Sequence, residues 1–201
     1  MRQNGQTLIE TIVAIFVLTT GLSAGLGLAI FAFGGASDIT ERIGATSLAR
    51  EGIEAVRRMR DSNWLAGAIT DCGSGQQCYR TWLTGPYDIA GTLDGRSGRL
   101  EFNPASGGDK WAVSYGVSDY RLRMVSGSGF AHAGSQDTTF FRKLFLFNQT
   151  TADPAAETQI LVRSVVWWWG KNCPQITNYS QPSDTNCRIV TEEILTNWKN
   201  Y

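Results

Sequence analysis

Between Glu10 and Asp38 the chain carries no charged side chain, and residues 11–37 read TIVAIFVLTTGLSAGLGLAIFAFGGAS. A helix rises about 1.5 Å per residue, so this run exceeds the roughly 30 Å of a bilayer's hydrocarbon core. A helix buried in a soluble core keeps a polar face, and this run has none. A cleaved secretory signal has an apolar region of only about 7–15 residues behind a basic start. Here the run is longer, Arg2 is the only basic residue before it, and Ser23-Ala24-Gly25 imitates a peptidase site only loosely. The run therefore predicts a single membrane-spanning helix. Arg2 favours a cytoplasmic N-terminus, which places everything after the span outside.

The rest of the chain has the balance of a soluble domain. With 18 basic and 18 acidic residues the net formal charge is zero. There is no global pull toward nucleic acid or anionic lipid.

Glu10 stands directly before the apolar run. A carboxylate near hydrocarbon is costly and usually has a partner. Residues 5–10 read Gly5-Gln6-Thr7-Leu8-Ile9-Glu10. This resembles the cleavage and assembly motif of type IV prepilins and pseudopilins: a Gly, a cut, four residues, then Glu. The resemblance implies that a prepilin peptidase cuts between Gly5 and Gln6, leaving residues 1–5 as a leader. It implies that Glu10, fifth in the mature chain, pairs with the N-terminal ammonium of a neighbouring subunit. It also implies N-methylation at the new terminus. Here that residue is Gln6, where the family usually has Phe or Met, and an N-terminal Gln can cyclise; methylation and cyclisation both stay open.

Beyond the span, residues 38–64 read DITERIGATSLAREGIEAVRRMRDSNW. Ile39, Ile43, Ala49, Ile53, Val56 and Met59 recur near helical spacing and predict a stripe buried against a head domain. Arg50 with Glu54, and Glu54 with Arg58, are i,i+4 pairs. Arg57, Arg58 and Arg60 read as a solvated helix end that suits the dipole, with DNA contact as the alternative. Residues 49–57 also resemble pilin-like proteins just outside the membrane. Gly21, Gly25 and Gly27 weaken the helix middle, and Gly21 with Gly25 forms a G-x-x-x-G spacing that permits close helix approach.

After Trp64 the period changes. Strands are predicted at 99–102, 110–115, 120–125, 142–147, 159–169 and 188–198, rich in β-branched and aromatic residues. No long helical pattern separates them, which predicts antiparallel connections. The expected fold is α+β: a long N-terminal helix packed on an antiparallel sheet. The expected divisions are a leader at 1–5, a transmembrane or filament-core helix at 6–37, its amphipathic extension at 38–66 and a β-rich head at 67–201. The ending Thr191-Glu192-Glu193-Ile194-Leu195-Thr196-Asn197-Trp198 resembles minor pilins of the PilV type.

Trp167, Trp168 and Trp169 are consecutive. In a strand two share one face and the third takes the other. They read as core anchors, with an exposed attachment aromatic as the alternative. Cys72 and Cys78 flank a flexible Gly73-to-Gln77 loop, and Cys173 and Cys187 flank a polar stretch. In an oxidising compartment the local pairings 72–78 and 173–187 are expected. A four-thiolate zinc site is the rival, and neither spacing suits it. His132, the only histidine, reads as a loop residue. Gly107-Gly108-Asp109-Lys110 lacks the rest of a phosphate loop. The triplets at Asn148 and Asn178 match a glycosylation pattern that chance often produces. No catalytic constellation, cofactor motif or metal cluster is apparent.

The resemblance thus implies a minor subunit of a type IV pilus, with other pilin subunits, the peptidase and the membrane as partners. The alternatives are a pseudopilin of a type II secretion system and a tethered binding domain that never polymerises.

Overall fold

A computed structural model describes residues 8–69, 82–83, 96–102, 111–125, 129–132, 134–149, 159–170, 172–173 and 185–197. The fold is α+β, one long N-terminal helix and an antiparallel sheet. It divides into two compact units, Met1–Glu41 and Arg42–Tyr201.

Helix α1 (Leu8–Ile69) runs unbroken through both stretches that the sequence separates. In the first unit its apolar side chains stand exposed, Phe31 and Phe33 among the most open. Thr19, Thr20 and Ser23 each donate to a carbonyl three or four residues back, at 2.7–3.0 Å. Their hydroxyls are thereby satisfied within the helix, as a hydrocarbon surrounding demands.

In the second unit the strands are β1 (Arg96–Phe102), β2 (Trp111–Tyr115), β3 (Arg121–Val125), β4 (Gly129–Ala131), β5 (Gln136–Asn148), β6 (Gln159–Trp168) and β7 (Arg188–Thr196). All described pairings are antiparallel. The 13-residue β5 is the hub. On one side it pairs along Phe140–Asn148 with β6, which carries β7. On the other, its first half meets β3 and its second half meets β1. Hairpins β3–β4 and β1–β2 complete the sheet.

The second part of α1 buries a row at three- and four-residue spacing: Ala45, Leu48, Ala49, Ile53, Val56 and Met59. They pack on Leu122, Leu144, Leu146, Val162, Val166 and Trp168, the residues that alternation turns to one face of the sheet. Gly52 lets the helix come close. A Cβ there would lie 2.6 Å from Ser164 Oγ and 3.2 Å from Leu144 Cδ2. At the helix end Asn63 donates to the Trp82 carbonyl at 2.9 Å, and Trp64 Nε1 donates to Asn197 Oδ1 at 3.1 Å.

Three expectations are corrected. Ile39 and Ile43 are exposed, not part of the buried stripe, because small residues at 45, 49 and 52 carry the contact face instead. The helix continues to Ile69, so Arg57, Arg58 and Arg60 are not its last turn. Glu54 pairs with Arg57 at 2.5 Å rather than with Arg50 or Arg58. Arg57 also reaches Glu193 of β7 at 2.5 Å, which ties helix to sheet and raises the guanidinium's pKa. That cross-link is why Arg57 turns toward the head.

Candidate functional site

The first candidate is the helix surface from Leu8 to Ser37. It is long and apolar enough to cross a membrane. Glu10 lies in its first turn, exposed, where a carboxylate complements the helix dipole. Gly21, Gly25 and Gly27 leave open space where a side chain would stand, and the helix stays continuous through them. Gly5 and Gln6 lie outside the described residues, so the cleavage position has no structural description.

The second is a polar group sealed between α1 and the sheet. Arg142 is wholly buried. Strand alternation puts it on the same face of β5 as Leu144 and Leu146, the face that meets the helix. Its Nη1 donates to the Leu48 carbonyl at 3.2 Å and lies 3.4 Å from Glu51 Oε2. Burial pushes its pKa down, with Glu51 acting against that. Among the described residues Nε and Nη2 have no hydrogen-bond partner, nor has the buried Ser164 hydroxyl. The strand expected at 142–147 begins on Arg142, whereas β5 starts six residues earlier, at Gln136. The alternation Phe140, Arg142, Leu144, Leu146 was the signal for its place.

The third surrounds His132, a loop residue between β4 and β5 as expected, but a buried one, 2% exposed. The turn after β4 carries it beneath β3. Its Nδ1 lies 2.9 Å from the Arg121 carbonyl, so Nδ1 bears the proton and donates. Burial pushes its pKa to about 3, helped by the charge of Arg142. The ring is neutral at physiological pH. Around it, Arg123 donates to the His132 carbonyl at 2.7 Å and to Asp119 at 2.9 Å, while Asp137 accepts from Arg121 at 2.6 Å and Arg123 at 2.8 Å. Burial pushes the Asp119 carboxyl up, but the Arg121 amide and the Arg123 guanidinium bring it below the usual range. Hydrogen bonds from Arg121 and Arg123 lower Asp137. This network pins β3, β4 and β5 together.

Cys173 and Cys187 form a disulfide, Cα–Cα 5.6 Å, the pairing expected. Cys72 and Cys78 lie outside the described residues. Trp167 and Trp168 are both fully buried on opposite faces of β6. Trp168 packs under the helix with Leu48 and Val166. Trp167 stacks on Phe141 with centroids 5.5 Å apart, and Trp169 meets Phe141 edge-on at 5.6 Å with Arg121 over its ring at 4.4 Å.

Among the described residues no three His, Cys, Asp or Glu side chains gather to hold a metal. The first unit is thus an apolar helix with one carboxylate in its first turn, and the second a helix buried against an antiparallel sheet. No family model matches the chain, and neither does any curated protein or solved structure.

Proposed function

We propose that the chain is a membrane-anchored subunit of a type IV pilin-like filament, cut between Gly5 and Gln6 and assembled through Glu10. The carrying observation is the succession Gly5-Gln6-Thr7-Leu8-Ile9-Glu10 followed at once by a charge-free helix. The unbroken helix supports the reading, since a filament core needs an apolar rod and a head that decorates it. Helix rows between Ala45 and Trp64 packed on a sheet support such a head. The Glu10 carboxylate, in a dry site between subunits, attracts an ammonium far more strongly than in water.

Mass spectrometry of the mature N-terminus tests this. Loss of residues 1–5 is expected, and Gly5→Val is expected to leave an unprocessed precursor in the membrane. A Gly5→Val chain that still loses residues 1–5 sinks the processing step. Intact residues 1–5 in the wild-type protein would favour a tethered domain that does not polymerise.

A further inference from the structure

Ile39 and Ile43 fit the helical period yet stand 59% and 62% exposed. They lie one turn apart on α1, on the side away from Ala45, Leu48 and Gly52, which meet the sheet. At about 100° per residue, Ala36 and Ser47 share the isoleucines' side, and both are exposed. Between Ser37 and Arg50 this side carries no charged residue. Asp38, Glu41 and Arg42, the first charges after the span, are turned roughly 100–160° round the helix from Ile43. Arg42 donates to the Asn186 carbonyl at 2.8 Å and lies over the Trp168 ring. The hydroxyls beside the isoleucines are satisfied within the helix, as they are inside the span: Thr40 donates to the Ala36 carbonyl at 2.9 Å and Ser47 to the Ile43 carbonyl at 3.1 Å. The exposed apolar surface of the span thus continues past Asp38 on one side of the helix alone.

Length gives that side a role. Residues 11–37 measure about 40 Å as a helix, roughly 10 Å more than a hydrocarbon core. A span that is too long tilts, and the residues that anchor it at the interface set the direction. A tilt of about 40° absorbs the whole excess. A lean toward Ile39 and Ile43 brings apolar side chains down to the leaflet and lifts Asp38, Glu41 and Arg42 away from it. Ile43 lies about 9 Å beyond Ser37 along the axis, which that tilt makes about 7 Å above the core. On the underside, a side chain about 5 Å from the axis comes down to roughly 4 Å. That depth falls within a headgroup layer about 5–8 Å thick, where amphipathic helix faces bed. We propose that the Ile39–Ile43 side of α1 is a lipid-contact surface: α1 leaves the bilayer leaning onto it, with both isoleucines in the phospholipid headgroup layer. This rests on the membrane-anchored reading but not on cleavage or filament assembly.

The test is a depth series on the full-length chain in vesicles of phosphatidylcholine with phosphatidylglycerol. A nitroxide amino acid replaces one residue at a time, leaving the native cysteines untouched. Its relaxation is read against oxygen, which enters lipid, and a nickel chelate, which stays in water. The sites are Phe31, Ile39, Glu41, Ile43 and Arg50, all exposed or half-buried, so the head's core is left intact. Position 31 is expected to be deep, 39 and 43 shallow but shielded from nickel, and 41 and 50 open to it. Nickel accessibility at 43 is expected to be several-fold below that at 50. Position 31 open to nickel would overturn the span itself, and this surface with it. Position 31 deep with 43 as open as 50 would overturn the lipid contact alone. Equal shielding at 39, 41 and 43 would overturn the lean. Shielding at 43 that vanishes as the protein is diluted in lipid would assign the surface to a second copy and overturn the lipid contact.

Discussion

Arg142, buried to zero exposure under α1, has among the described residues a single carboxylate near its guanidinium: Glu51, with Nη1–Oε2 3.4 Å. Glu51 itself keeps 37% of its side chain in solvent. The pair therefore places a desolvated charge against a half-hydrated one. Removing the half-hydrated partner strands the buried charge, whereas removing the charge leaves an apolar contact.

Glu51→Ala is expected to destabilise the head by about 1–3 kcal/mol. Arg142→Met, of similar bulk, is expected to be neutral or stabilising. In the Arg142→Met background, Glu51→Ala is expected to cost almost nothing. Thermal melting of the full-length protein in detergent, followed by tryptophan fluorescence, measures all three. A Glu51→Ala cost that persists without Arg142 would refute the coupling.

Much of this architecture was legible because the sequence carries two clean periods. Alternation at residues 120–125 marks β3, and β-branched and aromatic density marks β6 and β7. The membrane-length helix follows from missing charge alone. The misses share a physical cause. Ala45 and Gly52 make the helix contact by being small and add little to an apolar period, whereas Ile39 and Ile43 fit that period and stand exposed. Strand β4 has only three residues, beside a Ser-Gly run, and gives no countable alternation. Arg142 hid the first half of β5, since a charge reads as a strand end until its neighbours' faces are counted. His132 could not be placed without knowing which carbonyl would receive its proton.

His132 gives the stability a defined pH dependence. Its folded pKa, about 3, lies below the ordinary value of 6.5. The fold therefore favours the neutral ring. The contribution is fully present above pH 6.5 and is lost as pH falls toward 3, by at most about 1.4 kcal/mol per pH unit. Asp119 and Asp137 are also lowered, from 3.8, so their losses begin only below about pH 4. Between pH 6.5 and 4 the slope belongs mainly to His132. The melting temperature is expected to fall across that window in the wild type and to stay flat in His132→Asn. A wild-type melting temperature that is flat there too would show that the ring accepts its proton without strain.

The Cys173–Cys187 bridge closes a loop of sequence separation 14 beneath Trp168. A loop of that length contributes about 3 kcal/mol through chain entropy. Cys187→Ser is expected to lower the melting temperature by the equivalent amount, and reduction of a Cys72→Ser/Cys78→Ser chain, in which 173–187 is the remaining bridge, is expected to match it. Peptide mapping without reductant is expected to recover the 173–187 link. Agreement between variant and reduction separates the cross-link from loss of Cys187 packing, since only the variant removes the sulfur.

Glu10 is expected to act in assembly and not in folding. It sits exposed in the first turn of α1, and the buried rows of the head begin only at Ala45. Where cleavage after Gly5 leaves an ammonium on Gln6, the group facing Glu10 can be the chain's own or a neighbour's. Either contact needs the charge. Glu10→Gln keeps the shape and removes it, and Glu10→Ala removes both. Both variants are expected to be processed, inserted and folded like wild type, with unchanged melting of the head. Both are expected to be depleted in sheared filaments relative to membranes. The depletion reads assembly alone, because the membrane fraction controls for expression and insertion. If Glu10→Gln enters filaments as efficiently as wild type, charge pairing is not the assembly force. If Gln6 proves cyclised in native filaments, the ammonium is missing, and Glu10 would then need a different cation in its neighbour.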